Sequence, residues 1–302
     1  MIGTILRAWR AVIHGEALLT PSILTGVVVG VVALELNAGH VDVEIAAALG
    51  SMVTFLFGVL LAFSIARTRE RLATVQDLIT TGNASLLSID QLASVFGDPT
   101  HGRIRGLIDR QLTDQIDYRL VDNHLSAPAH LALTATLIDL VPQTRQEEVA
   151  YKKLTELCVD MGSNRALIEA TTGQSLSGIE WTGNFLLLGL LLVLLVVLPN
   201  GTLWGAAAAG FLAGTLVALL VLLRRLDRLR WHERVAIWEP TTRLFRNMDL
   251  DPYVPRVVID SRRYRPSGRV RVVDYPDPYP VRSTKVVTVM ELDGTGRLPA
   301  PR

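Results

Sequence analysis

Side chains that could carry out chemistry are few in this 302-residue sequence, and they are poorly spaced for it. The six histidines, His14, His40, His101, His124, His130 and His232, fall in separate stretches, with no ligand spacing among them. Neither HExxH, G-x-x-x-x-G-K-[ST] nor G-x-G-x-x-G occurs, and a single Cys158 offers no paired thiols. The stretch Gly102 to Gly106, GRIRG, has the glycines of a phosphate loop but lacks the Lys and hydroxyl residue that should follow, so it reads as the opening of a helix. Cys158, between Leu157 and Val159, reads as buried packing. No catalytic residue, metal, cofactor or nucleic-acid partner is expected, and the weight moves off enzymes.

The remaining ionisable groups of interest lie beside long apolar runs. Glu35 closes the first run and, two residues from Asn37, reads as reaching interfacial water, with Asp42 and Glu44 making that end acidic. Arg165, Glu169 and Glu180 lie before the third run, and the two carboxylates are placed to form structural salt bridges with Arg67 or Arg71.

The elements that must position these groups belong in lipid. Thr202 to Leu223 is 22 residues without a charge, roughly 33 Å of helix against a hydrocarbon core of about 30 Å. Pro21 to Asn37, Ile45 to Ala66 and Thr182 to Leu198 join it, giving four expected transmembrane helices. Hydrophobic residues make up 49% and mean hydropathy is +0.33, yet 20% of residues are charged, so the charges must be segregated. Residues 1–66 hold two Arg against four acids, residues 67–182 eleven Lys or Arg against fifteen acids, and the tail from Arg224 seventeen against ten. The net charge of +1 therefore conceals a basic tail.

Arginine also sets the expected orientation. Arg7 and Arg10 precede the first run; Arg67, Arg69 and Arg71 follow the second; Arg224, Arg225, Arg228 and Arg230 follow the fourth. The loops NAGHVDVE, Asn37 to Glu44, and PNGT, Pro199 to Thr202, hold no Lys or Arg. The positive-inside rule then places both termini and the middle segment in the cytoplasm of a multi-pass protein of the plasma (inner) membrane. A secretory signal peptide is the competing reading of the N-terminus, and LELNAGH lacks its small-x-small cleavage pattern. The expected organisation is a cytoplasmic N-terminus (1–20), a first membrane pair (21–66), a helical cytoplasmic insert (67–181), a second membrane pair (182–223) and a basic, Pro-rich tail (224–302).

Small residues mark faces for close helix contact. Ala206, Gly210, Gly214 and Ala218 are four apart; Gly50, Thr54, Gly58, Ala62 and Ala66 repeat the device, as do Ser22, Gly26 and Gly30. The third run, NFLLLGLLLVLLVVL, has no such face and reads as lipid-facing. Three stripes in four runs imply a tight bundle and a homo-oligomer.

In the insert, Leu72, Val75, Ile79, Leu86, Ile89, Leu92 and Val95 continue the second run as a helix until Gly97-Asp98-Pro99. Helices over Arg103 to Leu120 and Ala127 to Leu140 follow. After Pro142, Thr144-Arg-Gln-Glu147 is a capping box opening a last helix with a stripe of Val149, Leu154, Leu157, Met161 and Ile168. Nine of fourteen prolines lie between Pro240 and Pro301, and RVVID, GRVRVVDY and TKVVTVMEL read as short β segments in an extended arm. The arginines of that arm either solubilise it or attract anionic membrane lipid. The fold class expected is an all-α membrane protein with short β segments in its tail.

TFLFGVLLAFSIARTRERL, NASLLSIDQLASVFGDP, RALIEATTGQSLSGIEW and RLDRLRWHERVAIWEPTTRLF, set in this layout of two spans, insert, two spans and tail, resemble the bestrophin-like membrane proteins of bacteria over about residues 45–245. The resemblance implies kinship with bestrophins, pentameric anion channels in which the second membrane helix of each subunit lines a narrow apolar neck. Carried onto this chain, it implies Phe55, Phe57, Gly58, Leu61 and Phe63 as neck residues and an inorganic anion as the permeant species. The alternative is a non-conducting scaffold or sensor whose cytoplasmic helices and basic tail bind a partner or anionic lipid.

Overall fold

The protein, represented by a computed structural model, is described over residues 19–35, 43–118, 120–197, 202–228, 238–260, 266–276 and 284–293. Arg7, Arg10, Asp42, Arg230, His14, His40, His232 and most of the two loops without Lys or Arg lie outside these residues. Nine α-helices are described: α1 (Leu19–Glu35), α2 (Val43–Ala93), α3 (Asp98–Asp117), α4 (Ala127–Ile138), α5 (Arg145–Gly173), α6 (Gly178–Val197), α7 (Leu203–Asp227), α8 (Trp238–Asn247) and α9 (Arg256–Asp260). Three strands accompany them: β1 (Tyr253–Pro255), β2 (Ser267–Asp274) and β3 (Val286–Asp293). The described residues fall into two compact units, one drawn from Met1–Glu70 and Ser175–Arg230, the other from Arg71–Gln174 and Trp231–Arg302.

The first unit is built of apolar helices. The helical stretches Ala48–Phe96, Arg145–Val197 and Leu203–Asp227 each contain a segment long and apolar enough to cross a membrane, and Pro21–Glu35 is a shorter apolar helix. Its core joins Val53, Phe57 and Leu61 of α2 to Trp181, Leu188 and Leu191 of α6 and to Val217, Leu220 and Leu223 of α7. Side-chain caps start two of these helices. Thr202 Oγ1 accepts the Gly205 N–H at 3.1 Å. Ser177 and Glu180 form a reciprocal capping box: Ser177 N–H donates to Glu180 Oε2 at 2.7 Å and Glu180 N–H to Ser177 Oγ at 3.2 Å.

In the second unit α2 runs unbroken to Ala93 and ends through one 3-10 turn at Gly97, whose φ of 83° suits glycine. Asp98-Pro99 then starts α3 a turn earlier than expected, because proline in a first helical turn has no backbone partner to lose. GRIRG therefore lies inside this helix. Leu86, Ile89, Ile104, Ile108, Leu112, Leu133, Leu137, Leu154, Cys158 and Met161 form the core. Val149 and Val95, expected in the apolar stripes, are 66% and 42% exposed. The box at α5 forms with a shift: Thr144 Oγ1 takes the Glu147 N–H at 3.2 Å, whereas Glu147 Oε2 accepts from Gln143 N–H at 2.6 Å.

The tail is no extended arm. β2 pairs parallel with β1 and antiparallel with β3. Tyr253 and Val273 enter the core beside the α3 residues. RVVID, expected as β, is the short helix α9, with Val258 and Ile259 buried under the sheet residues Val254, Val270 and Val272. Asp117 on α3, 6% exposed, anchors this arrangement. Its Oδ1 accepts from Tyr253 at 2.8 Å and Tyr275 at 2.7 Å, and its Oδ2 from Lys285 Nζ at 2.7 Å. Burial pushes the Tyr253 hydroxyl far above an ordinary phenol, with Tyr275 and Asp117 adding to the effect, so it stays a donor. Arg271 clamps Asp109 with both terminal nitrogens, at 2.8 and 2.5 Å. Arg243, Arg256 and Arg269 pair with Glu239, Asp274 and Asp251, so much of the tail's positive charge is committed within the fold.

His130 on α4 is 8% exposed, and its Nδ1 has no hydrogen-bond partner among the described residues. Burial, reinforced by the Arg165 charge and partly offset by Glu169, lowers its pKa from 6.5. The unfolded chain therefore takes up this proton first, so stability is full above pH 6.5 and falls as pH drops through that value toward the folded pKa. Thermal unfolding followed by circular dichroism should show a larger loss between pH 7 and pH 5 in the wild type than in His130→Gln.

Candidate functional site

The membrane part of α2 has two unlike faces, because each residue turns the helix by about 100°. Val53, Phe57, Leu61, Ser64 and Thr68, three or four apart, are buried. The opposite arc presents Ser51, Phe55, Gly58, Val59, Ala62, Phe63 and Ala66, with Phe55 69% and Phe63 71% exposed. Phe57 and Leu61, expected beside Phe55 and Phe63 in a neck, are instead 2% and 5% exposed in the core against α6 and α7. Two residues along a helix is roughly 200° around it, so Phe55 and Phe57 cannot share a lining. Val59, four residues from each exposed phenylalanine, takes that place on the open arc.

The small-residue stripes separate into two kinds. Gly26 and Gly30 of α1 meet Ala206, Gly210 and Gly214 of α7 backbone to backbone. A Cβ at Gly210 would lie 2.6 Å from the Gly26 carbonyl oxygen, one at Gly26 2.7 Å from that of Gly210, and one at Gly214 2.9 Å from that of Ser22. Ala206 is buried and Ala218 half-buried on the same helix. By contrast, a Cβ at Gly50 or Gly58 would meet nothing within 4 Å among the described residues. Thr54 and Ala62 are likewise exposed, and the Thr54 hydroxyl donates to its own helix at Gly50 O, 2.7 Å away. The α2 stripe therefore has no helix against it among the described residues.

Polar contacts within each unit hold the Arg-rich helix ends. Arg67 pairs with Glu180 at 2.7 Å, as expected. Arg165 pairs with Glu169 on its own helix. Arg71 is not a free flank cation: its guanidinium donates to the Thr171 and Thr172 carbonyls at 2.9 and 2.6 Å, satisfying the last turn of α5. Arg224 stacks on Trp181, 4.6 Å from the ring centroid. Asp227, 5% exposed, accepts the Leu176 N–H at 2.8 Å and Trp181 Nε1–H at 3.3 Å. Asn184, fully buried, donates to Ser64 Oγ at 3.4 Å and to Glu180 O at 2.9 Å. Arg69 is exposed, seven residues beyond Ala62 on the open arc; Arg225 and Arg228 are half-buried.

Asp227, Trp181, Asn184 and the Ser177–Glu180 box escaped the sequence reading. S-x-x-E ahead of an apolar run was a visible signal for the last of these. The Asp227–Trp181 bond spans 46 residues and has no local signal.

A family model described as the Bestrophin-like domain matches residues 16–228, more than two-thirds of the chain. The chain belongs to the bestrophin-like family. The bestrophin-like match takes in α1, which the resemblance over 45–245 left out, and stops at Arg228, so RWHERVAIWEPTTRLF, Arg230 to Phe245, lies wholly beyond it. All of the open arc of α2 and these polar contacts fall within the matched residues. No curated protein and no solved structure matches the chain.

Proposed function

We propose that this bestrophin-like protein is a four-span homo-oligomer of the plasma (inner) membrane that conducts inorganic anions, with the open arc of α2 lining the path. The observation that carries the reading is the character of that arc. The outward side of α6 is mostly bulky, with Phe185, Leu186, Leu190 and Val193 exposed and Gly189 as its one small residue in the apolar run, as a lipid-facing surface should be. The α2 arc instead alternates Phe55, Val59 and Phe63 with Ser51, Gly58 and Ala62, a mixture suited to a narrow conduit or a close neighbour. Aromatic ring edges are electropositive, and an apolar constriction gates by dewetting. Arg69 at the end of the same arc adds positive potential for an anion.

The orientation is proposed with both termini cytoplasmic. Arginines close both the second and the fourth apolar runs, at Arg67, Arg69 and Arg71 and at Arg224, Arg225 and Arg228, which supports Arg69 and Arg228 lying on one membrane face. The 17-residue α1 is about 26 Å long, enough for a span with slight bilayer thinning.

Thiol labelling tests the lining. In a Cys158→Ser background, Ser51→Cys and Ala66→Cys should react with a membrane-impermeant charged thiol reagent, because a thiolate forms only where water reaches. Leu190→Cys should stay unreactive. Silence at all three positions would place the α2 arc in lipid or protein and favour the scaffold reading.

A further inference from the structure

A groove of about 590 Å³ runs along the outer side of the α1–α7 pair, lined among others by Gly26, Gly30, Val31, Ala207, Phe211 and Thr215. That volume lies within the usual ligand-site range of roughly 300–1,000 Å³. Its floor is the glycine contact, where the two backbones touch. Its walls are branched and aromatic: Ile23, Val27, Val31 and Leu34 on α1, Leu203 and Phe211 on α7, each between 45% and 76% exposed. Backbones this close leave a furrow between the two helices, open along its outer side. The slot also lacks polar demand, since Thr215 spends its hydroxyl on Phe211 O at 2.9 Å. An occupant must be apolar.

The length and the ends of the slot identify it further. From Leu203 to Ala218 the lining covers 15 steps of α7, roughly 22 Å, against about 15 Å for one leaflet of the hydrocarbon core. Seven residues past Ala218, and so on the same helix face, stands Arg225. We infer that this groove holds an acyl chain of an anionic phospholipid, with the lipid phosphate at Arg225. The chain fills the slot, which water would wet unfavourably, and the guanidinium meets the phosphate at the depth where helix α7 leaves the hydrocarbon. The inference rests on the membrane placement of α1 and α7 and is independent of conduction.

Native mass spectrometry of the purified full-length protein, delipidated and then given phosphatidylglycerol or phosphatidylcholine, tests it. The wild type should retain one phosphatidylglycerol per copy and prefer it about fivefold over phosphatidylcholine, the value of one basic residue near the surface. Ala207→Trp and Thr215→Phe, at exposed positions off the glycine contact, should lose lipid of both kinds without a fall in melting temperature. Arg225→Gln should bind both lipids equally, and Arg225→Lys should restore the preference. Lipid retention by Ala207→Trp equal to wild type would overturn the site, as would an Ala207→Cys disulfide between copies in membranes, which would seat a second chain in the groove. Full solubility without detergent is a separate result that would remove the membrane placement and the site together.

Discussion

Replacing Gly210 by leucine should break the α1–α7 pair, at a cost of about 3 kcal/mol or more, at the upper end of overpacking penalties. Its Cβ would fall 2.6 Å from the carbonyl oxygen of Gly26, and the obstructing atom is backbone, which cannot rotate aside. The same displacement would strip the contacts of Gly30 with Ala206 and of Gly214 with Ser22. Even Gly210→Ala meets the first clash, so it should lie between leucine and wild type. Gly58→Leu is the matched control, since its Cβ has nothing within 4 Å among the described residues. Unfolding in detergent should show a large drop in midpoint for Gly210→Leu and almost none for Gly58→Leu. Cross-linking should show the reverse for assembly: Gly58→Leu alters the association of copies, because its stripe is left uncovered among the described residues.

Asp117→Ala should cost about 3 kcal/mol through orphaned donors. The carboxylate takes hydrogen bonds from Tyr253, Tyr275 and Lys285. Lys285 is 38% exposed at its side chain and recovers water when its partner goes, so most of the loss comes from the tyrosine hydroxyls, and Tyr253 is only 3% exposed. Geometry predicts the rescue. Both tyrosines reach Oδ1 and the lysine reaches Oδ2, so Asp117→Asn can keep an amide oxygen toward the tyrosines and forfeit only the lysine. Thermal melts and limited proteolysis of the full-length protein should rank wild type above Asn and Asn above Ala. Equal losses in the two variants would mean that charge, not the tyrosine bonds, holds the sheet on α3.

How much of this was legible in the sequence depends on the range of the interaction. Helices announced themselves where periodicity and caps are local: the unbroken α2, the Thr144 cap and the burial of Cys158 follow from residues within two turns. Asp98-Pro99 misled because proline was read as a breaker, whereas at a first helical turn it is a starter. RVVID misled in the opposite sense. Its β-branched residues favour a strand in isolation, but Val258 and Ile259 close over the sheet as a helix because that packing buries both. Small-residue stripes were visible in three runs, yet nothing in their spacing says that the α1 stripe meets α7 while the α2 stripe meets no helix among the described residues. The neck set divides between two faces for a related reason. Residue type suggested every phenylalanine on α2, and only the neighbouring helices decide that Phe57 and Leu61 face inward while Phe55 and Phe63 do not. Asp117 stands 136 to 168 residues from its partners in sequence, beyond any local pattern.

The proposed lining also explains why the polar contacts at the Arg-rich helix ends matter. Asp227 fixes the start of α6 through Leu176 and Trp181, and Glu180 fixes Arg67 at the end of the membrane part of α2. Those bonds hold the ends of the helices on which Val53, Phe57 and Leu61 pack, and an α2 turned by one residue would exchange Phe55 for its neighbour Thr54 or Leu56.

Anion flux from purified, correctly inserted oligomers in liposomes is the most direct measurement. Wild-type protein should pass chloride, Phe55→Ala and Phe63→Ala should raise the flux by widening and wetting the constriction, and Phe57→Ala should reduce stability without that gain. No flux from the wild type or from either open-arc variant would contradict the account and leave a membrane scaffold in its place.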